Sequence, residues 1–543
     1  MTGTNASYME ILLSFEKTLN QSLSFLKEVC SDNGQLTTEK LDKMQQPTAD
    51  LSLSIAELRC AKIYLDYSDN KGDLEQDMAQ TFAMQVIQNI KSRIAKCPGD
   101  YGLDSRSMEE PVHSFEDNKL SASSLEELGK SIVRGGGHIG DRGLEEDKAL
   151  IADTFFQFSE EVVKPWAEDI HRKDLIIPDE ILDGVRRLGC FGLSIPEKYG
   201  GLLPNDREDS LGMIVVTEEL TRGSLGGAGS LITRPEIMAR SLLEGGTEDQ
   251  KGFWLPKIAE GKPLCAIAIT EPDFGSDVGS MKLKASPTQN GWLLNGAKAW
   301  STFAGKSEVL LTLARTDPDL SLGHRGLSLF IVEKPEFDGE EFEFNQSDGG
   351  KLTGKSIPTL GYRGMHSFNL FFDDFFVPQG NLIGEEQGLG KGFYFTMRGF
   401  MGGRIQTAAR ACGLMQASME TALSYAEDRK VFGKSVASYQ LTLIKFAKMA
   451  IYLGASRQFT YQVGRLMDQG GGQMEASLVK LLACKLAEWV SREAMQIHGG
   501  MGYAEETEAS RLWVDSRVLS IFEGTEETLA LKVVGRALID RAS

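Results

Sequence analysis

From about residue 263 to 378 the amino-acid pattern changes period, and the sequence on either side of that block reads as helix. Inside it, short runs rich in β-branched and aromatic residues at 309–313, 327–332 and 368–372 alternate with turn residues. Asn-Gly pairs at 290 and 295 are of the kind that close hairpins. A small β-domain flanked by helices is therefore predicted.

Apolar residues recur at helical spacing from about Asp147 to Gly261, interrupted at 194–201 by a Pro and paired Gly that demand a turn. After Gly392 the pattern returns at Leu441, Ile444, Ala447 and Ile451 and holds to Arg541. Leu51, Ile55, Leu58 and Leu65 give the first 130 residues a helical face too. The predicted order is a helical extension (1–130), a Gly-rich linker (131–146), a helical domain (147–262), the β-domain (263–378) and a helical bundle (379–543). The class is mainly α with a small central β-domain.

Residues 135–140, Gly-Gly-Gly-His-Ile-Gly, satisfy the dinucleotide pattern G-x-G-x-x-G in form only. A phosphate loop needs a strand before it and a helix after it, whereas a helical Leu-Glu-Glu-Leu-Gly-Lys segment precedes this one. A linker is the better reading.

Charge narrows the function further. The net charge of -19, with no Lys/Arg run to override it, disfavours nucleic-acid phosphates and anionic membranes. The extension itself holds 13 basic and 21 acidic residues up to Lys130. No stretch approaches the roughly 18 apolar residues of a membrane span. Seven scattered cysteines and six dispersed histidines predict neither a disulfide framework nor a metal site. With no basic or Arg-rich leader at the N-terminus, a cytoplasmic location is expected.

One stretch, 521–528, reads Ile-Phe-Glu-Gly-Thr-Glu-Glu-Thr and sets the carboxylate of Glu523 between apolar residues and a Gly-Thr turn. A carboxylate held against apolar neighbours has its charged form disfavoured, which suits a base that must take a carbon-bound proton. On these residues alone it reads more readily as a surface acid, because most carboxylates are solvated.

Other segments keep it company. Residues 268–277 (Ala-Ile-Thr-Glu-Pro-Asp-Phe-Gly-Ser-Asp) and 295–302 (Asn-Gly-Ala-Lys-Ala-Trp-Ser-Thr) precede it, followed by 429–434 (Arg-Lys-Val-Phe-Gly-Lys) and 496–502 (Gln-Ile-His-Gly-Gly-Met-Gly). With Phe522-Glu-Gly-Thr525 they resemble, in order, the signatures of the acyl-CoA dehydrogenase family, over roughly 147–540. The resemblance implies the family fold of helical domain, β-barrel-like domain and four-helix bundle, with FAD as cofactor and an acyl-CoA thioester as substrate. It further implies a homodimer or homotetramer and electron-transfer flavoprotein as acceptor.

Carried over residue by residue, Thr270, Trp300 and Thr302 would touch the flavin ring. That ring is flat and edged with hydrogen-bonding atoms and so needs an aromatic face with short polar neighbours. Ser276 would lie along the acyl-CoA path beside the cofactor. Arg429, Phe432, Gln440, Gln496, Gly499, Gly500 and Thr525 would hold FAD, in part that of a neighbouring subunit. Arg404 and Gly524 would lie near the substrate. Without the resemblance, Trp300 reads as a core aromatic, Ser276 as a turn serine and Arg429 as a helix-end cation. Two family branches carry their base near the positions of Gly402 and Gly403, neither of which is acidic, so Glu523 is the candidate that fits.

The implied reaction is α,β-dehydrogenation: Glu523 takes the α-proton while the β-hydrogen leaves as hydride to flavin N5. The enolate-like charge is met by the base residue's own backbone amide and a flavin ribityl hydroxyl. One departure is Glu527, where the family often has Gln. With its helical extension and the run 229–236, Gly-Ser-Leu-Ile-Thr-Arg-Pro-Glu, in a region that lines the acyl pocket in the family, the chain resembles most the branch acting on a branched dicarboxylic acyl group, which implies (2S)-methylsuccinyl-CoA giving mesaconyl-CoA in the ethylmalonyl-CoA pathway. Burying a terminal carboxylate requires a cation. Arg234 is the candidate, against a helix-surface arginine. Another short or branched acyl-CoA, an oxygen-using oxidase, or a non-catalytic nucleic-acid-binding relative are the alternatives.

Overall fold

The computed structural model describes residues 3–104 and 118–542, so the part of the extension at 105–117 lies outside it. The chain forms two compact units, one of residues 1–150 with 407–543 and the other of residues 151–406.

The first unit is helical. The extension supplies the helices Gly3–Cys30, Gln45–Ser68, Asp73–Ile94 and Ala122–Arg134. The last of these is N-capped by the Ser121 side chain. The C-terminal region supplies Gln440–Asp468, Gln473–His498 and Glu508–Leu519. The helix Gly392–Asp428 carries the chain into this unit.

Extension and bundle share one core. A Cβ at Gly129 would lie 2.1 Å from the Leu443 carbonyl oxygen, and one at Gly454 would lie 2.2 Å from the Tyr64 hydroxyl. Glycine is what lets these helices approach. Arg59 adds an ion pair to Glu475 at 2.5 Å. The loop 135–140 follows a helix rather than a strand, so it has no dinucleotide-binding geometry.

The second unit surrounds an eight-stranded sheet: β1 (Cys265–Ala268), β2 (Lys284–Pro287), β3 (Gly291–Thr302), β4 (Val309–Arg315), β5 (Leu327–Glu333), β6 (Glu341–Asn345), β7 (Lys351–Ile357) and β8 (Ser367–Pro378). Their order is β1-β4-β2-β3-β8-β7-β6, with β5 on β4. Strand β4 is buried at every position, because one face packs on Ile237, Leu255 and Ile258 and the other on Phe330 and Leu294. Two covered faces explain a continuous apolar run in place of alternation.

The Asn295-Gly296 pair, expected as a turn, lies inside β3. Gly296 takes φ +134 with Leu283 against it, and the β8 partner shifts register between Phe372 and Phe375. The pair makes an irregularity in a long strand rather than a hairpin. Among the described residues, no helix is long and apolar enough to cross a membrane.

Candidate active site

In the second unit, the loop carrying Thr270 and the strand carrying Trp300 are fastened together from beneath. Glu271 and Lys298 form an ion pair of 2.9 Å, with Lys298 fully buried. The Glu271 carboxylate also accepts the Lys282 and Leu283 backbone N–H groups, both at 2.8 Å, and Lys298 donates to the Ile269 carbonyl at 2.9 Å. Burial pushes the Lys298 ammonium down to about 8 against the opposing pull of Glu271. Ala299 N–H donates to the Thr270 carbonyl at 2.8 Å, which lays the loop beside the strand.

On that platform Trp300 has φ +57 and is 57% exposed. A large aromatic residue in the left-handed region with its ring in solvent is costly on both counts, and such conformations gather at binding sites. Thr302 pairs with Ser367, Oγ to Oγ, at 2.9 Å, and Ser276 is exposed.

Arg234 is buried in the same unit and is not a helix-surface residue. Its Nη1 donates to the Ser230 carbonyl at 2.6 Å, its Nη2 to the Tyr362 hydroxyl at 2.7 Å, and Met365 Sδ lies 3.6 Å away. Each of these partners is neutral, and among the described residues no carboxylate pairs with this guanidinium. Glu236, two residues on, is engaged elsewhere: it pairs with Arg240 at 2.8 Å and accepts from Gln406. Its carboxylate also fills the space beside Gly402, where a Cβ would lie 2.4 Å from Oε1. Arg404 is half-buried on the same helix as Gly402.

In the first unit, Glu523 stands at φ +55, followed by Gly524 at φ +100. Its Oε2 is buried and, among the described residues, has no hydrogen-bond partner. Thr525 starts the final helical segment: its Oγ1 accepts the Thr528 N–H at 3.2 Å and its carbonyl accepts the Leu529 N–H at 2.9 Å. Lys480, buried, donates to the Phe522 carbonyl at 2.7 Å and to the Gly524 carbonyl. Arg410, also buried, lies over the Phe522 ring at 5.3 Å.

The remaining positions of this unit are exposed. Arg429 ends a helix and leads into a hairpin of Lys430–Val431 and Lys434–Ser435, whose turn residues Phe432 and Gly433 both have positive φ. The Phe432 ring is 98% exposed. Gln496, Gly499 and Gly500 are exposed, and a Cβ at either glycine would meet nothing within 4 Å. Gln440 donates to Glu126 of the extension at 2.5 Å, a partner the sequence pattern did not suggest.

Each unit by itself offers surfaces that suit parts of a flavin dinucleotide: in the second, an aromatic face open to solvent at Trp300; in the first, an open glycine ledge at 499–500 and an exposed arginine and phenylalanine at 429 and 432. Lys480, Tyr362 and Arg410 were missed in the sequence. The signal for Lys480 was a lone cation in the apolar run 477–483, Ser-Leu-Val-Lys-Leu-Leu-Ala.

Family models agree with the geometry. Those described as acyl-CoA dehydrogenase N-terminal, middle and C-terminal domains match residues 145–262, 266–375 and 390–539. The chain is 36% identical, over 98% of its length and 97% of the relative's, to (2S)-methylsuccinyl-CoA dehydrogenase of Cereibacter sphaeroides. Butyryl-CoA dehydrogenase from Megasphaera elsdenii superposes with a TM-score of 0.66 at 31% identity, covering 73% of this chain and 99% of that one. A glutaryl-CoA dehydrogenase from Mycobacterium smegmatis in complex with FADH2 does so with a TM-score of 0.64 at 27% identity, covering 74% and 96%.

Proposed function

The chain belongs to the acyl-CoA dehydrogenase family, whose members are FAD-dependent, and from that premise we propose that it oxidises (2S)-methylsuccinyl-CoA to mesaconyl-CoA. The observation that carries the substrate is Arg234, a buried guanidinium whose hydrogen bonds all go to neutral groups. A buried cation without a counter-charge is expensive, and a substrate bearing a terminal carboxylate would supply the missing charge. A relative that matches 98% of the chain, extension included, carries that substrate in its name.

Glu523 is the base. Its unpartnered Oε2 is free to receive the α-proton, and its left-handed backbone turns the side chain and its own amide out of the helical path. Trp300, Thr270 and Thr302 would wall the flavin ring, and Arg429, Gly499 and Gly500 would hold the dinucleotide. Bound FAD supplies the two-electron acceptor for the β-hydrogen leaving as hydride. Phe432 supports a homo-oligomer in which that ring is covered by a second copy. Electron-transfer flavoprotein is the acceptor that fits the family.

The deciding experiment is an anaerobic titration of the FAD-loaded protein with (2S)-methylsuccinyl-CoA, butyryl-CoA and isobutyryl-CoA, following loss of oxidised-flavin absorbance. Bleaching by the first alone, lost in Arg234→Ala, supports the assignment. Bleaching by unsubstituted chains keeps the dehydrogenase and discards the dicarboxylic substrate. Peroxide formed in air as fast as substrate is consumed would identify an oxidase.

A further inference from the structure

Lysine is almost never fully buried without a partner that repays its desolvation. Lys480 is 1% exposed, and it lies about two turns into the helix Gln473–His498. Its ammonium donates to the carbonyl oxygens of Phe522, at 2.7 Å, and of Gly524. Those two carbonyls bracket Glu523. The ammonium therefore grips the chain immediately before and immediately after the base.

Two consequences follow. The first is conformational. Glu523 has φ +55, a region that is sterically unfavourable for a residue with a Cβ. The bond to the Phe522 carbonyl fixes the peptide plane on the N-terminal side of Glu523, and the bond to the Gly524 carbonyl fixes the peptide one residue beyond it, so one cation pins both ends of the turn that this conformation makes. The second is electronic. The Phe522 carbonyl and the Glu523 N–H belong to one peptide group, and a cation on the oxygen draws electron density from the nitrogen, so the N–H becomes a stronger donor. That N–H is the group assigned to the thioester oxygen in the proposed reaction.

We propose that Lys480 is a positioning residue that fixes Glu523 in its left-handed conformation and, through the Phe522–Glu523 peptide, strengthens the amide that stabilises the enolate-like oxygen. The proposal rests on the dehydrogenase reading of Glu523. Arg410, over the Phe522 ring at 5.3 Å, steadies the same residue from its side chain.

The test compares Lys480→Met, Lys480→Gln and Lys480→Arg, each FAD-loaded, with wild type. The first readout is the infrared carbonyl stretch of bound [1-13C]acetyl-CoA, which lacks a β-carbon and cannot be dehydrogenated. The second is steady-state turnover of methylsuccinyl-CoA and butyryl-CoA. In wild type the stretch lies below its value in solution. In Lys480→Met it returns at least halfway, kcat falls about 30-fold or more, and KM changes less than threefold. Lys480→Arg recovers part of both.

Should Lys480→Met fail to fold, Lys480→Gln, which keeps a donor but no charge, carries the same criteria. A wild-type shift retained in the neutral variants, with kcat within threefold, overturns the proposal alone. Absence of any shift in wild type overturns it together with the amide's assigned role. Glu523→Gln separates the two: it keeps the amide, so it retains the shift while losing turnover.

Discussion

Glu271 and Lys298 are joined by a buried 2.9 Å ion pair that ties the loop bearing Thr270 to the strand bearing Trp300. Neutralising one partner leaves the other charge stranded, which costs far more than the pair contributes. Glu271→Gln is expected to lower the unfolding free energy by about 3 kcal/mol, measured by denaturant titration, and to increase FAD loss on gel filtration. A cost below about 0.5 kcal/mol, the scale of an exposed pair, would show that the loop is held by other means.

Tyr362 orients Arg234 through the 2.7 Å bond to Nη2. Removing that hydroxyl forfeits a hydrogen bond to a charged group, about 1.5 kcal/mol or roughly tenfold. In Tyr362→Phe the KM for methylsuccinyl-CoA should rise about tenfold, while that for butyryl-CoA, which has no terminal carboxylate, stays as it was. An equal rise for both would place Tyr362 in general packing and not in recognition.

Lys334 gives a pH signature. It is buried, donating to the Gly305 and Pro335 carbonyls at 2.8 and 2.9 Å, and burial pushes its ammonium down to about 7. The unfolded chain restores a value of about 10.4, so between pH 7 and 10 the unfolded state binds the extra proton. Stability from this group is therefore fully present above about 10.4 and is lost as pH falls toward 7. The melting temperature of wild type relative to Lys334→Met should climb steadily from pH 7 to pH 10. A flat difference would mean that Lys334 keeps an ordinary affinity for its proton.

How far the sequence speaks depends on the range of the interaction. The β-runs at 309–313, 327–332 and 368–372 were visible because strand periodicity is local, and each lies within a longer strand of the sheet. Asn295-Gly296 misled for the same reason: a hairpin signal is local, whereas its place in β3 is set by Leu283 and by pairing with β8. Glu523 could be nominated from its motif, but the grip of Lys480 could not, since 42 positions separate that lysine from the carbonyl of Phe522. Arg234 could be nominated from charge alone, yet its burial and neutral partners needed the fold. Nothing in the pattern of residues 1–130 disclosed that Gly129 and Tyr64 would meet helices of the bundle.

Phe432 separates the needs of one chain from those of an assembly. Its ring is 98% exposed, so it contributes almost nothing to the fold of its own chain, and its φ of +48 strains the hairpin turn. Glycine removes both the ring and the strain, returning roughly 1 kcal/mol to the isolated chain. If the ring is kept for contact with a second copy and its cofactor, Phe432→Gly must act in opposite directions on two measurements. Resistance of the flavin-free chain to denaturant should rise slightly. The sedimentation coefficient at micromolar protein should fall toward that of a monomer, with FAD retained on dialysis reduced severalfold. A variant that stays fully assembled and fully loaded would leave the strained, exposed ring to some role other than subunit contact, and the homo-oligomer would then lose its structural support.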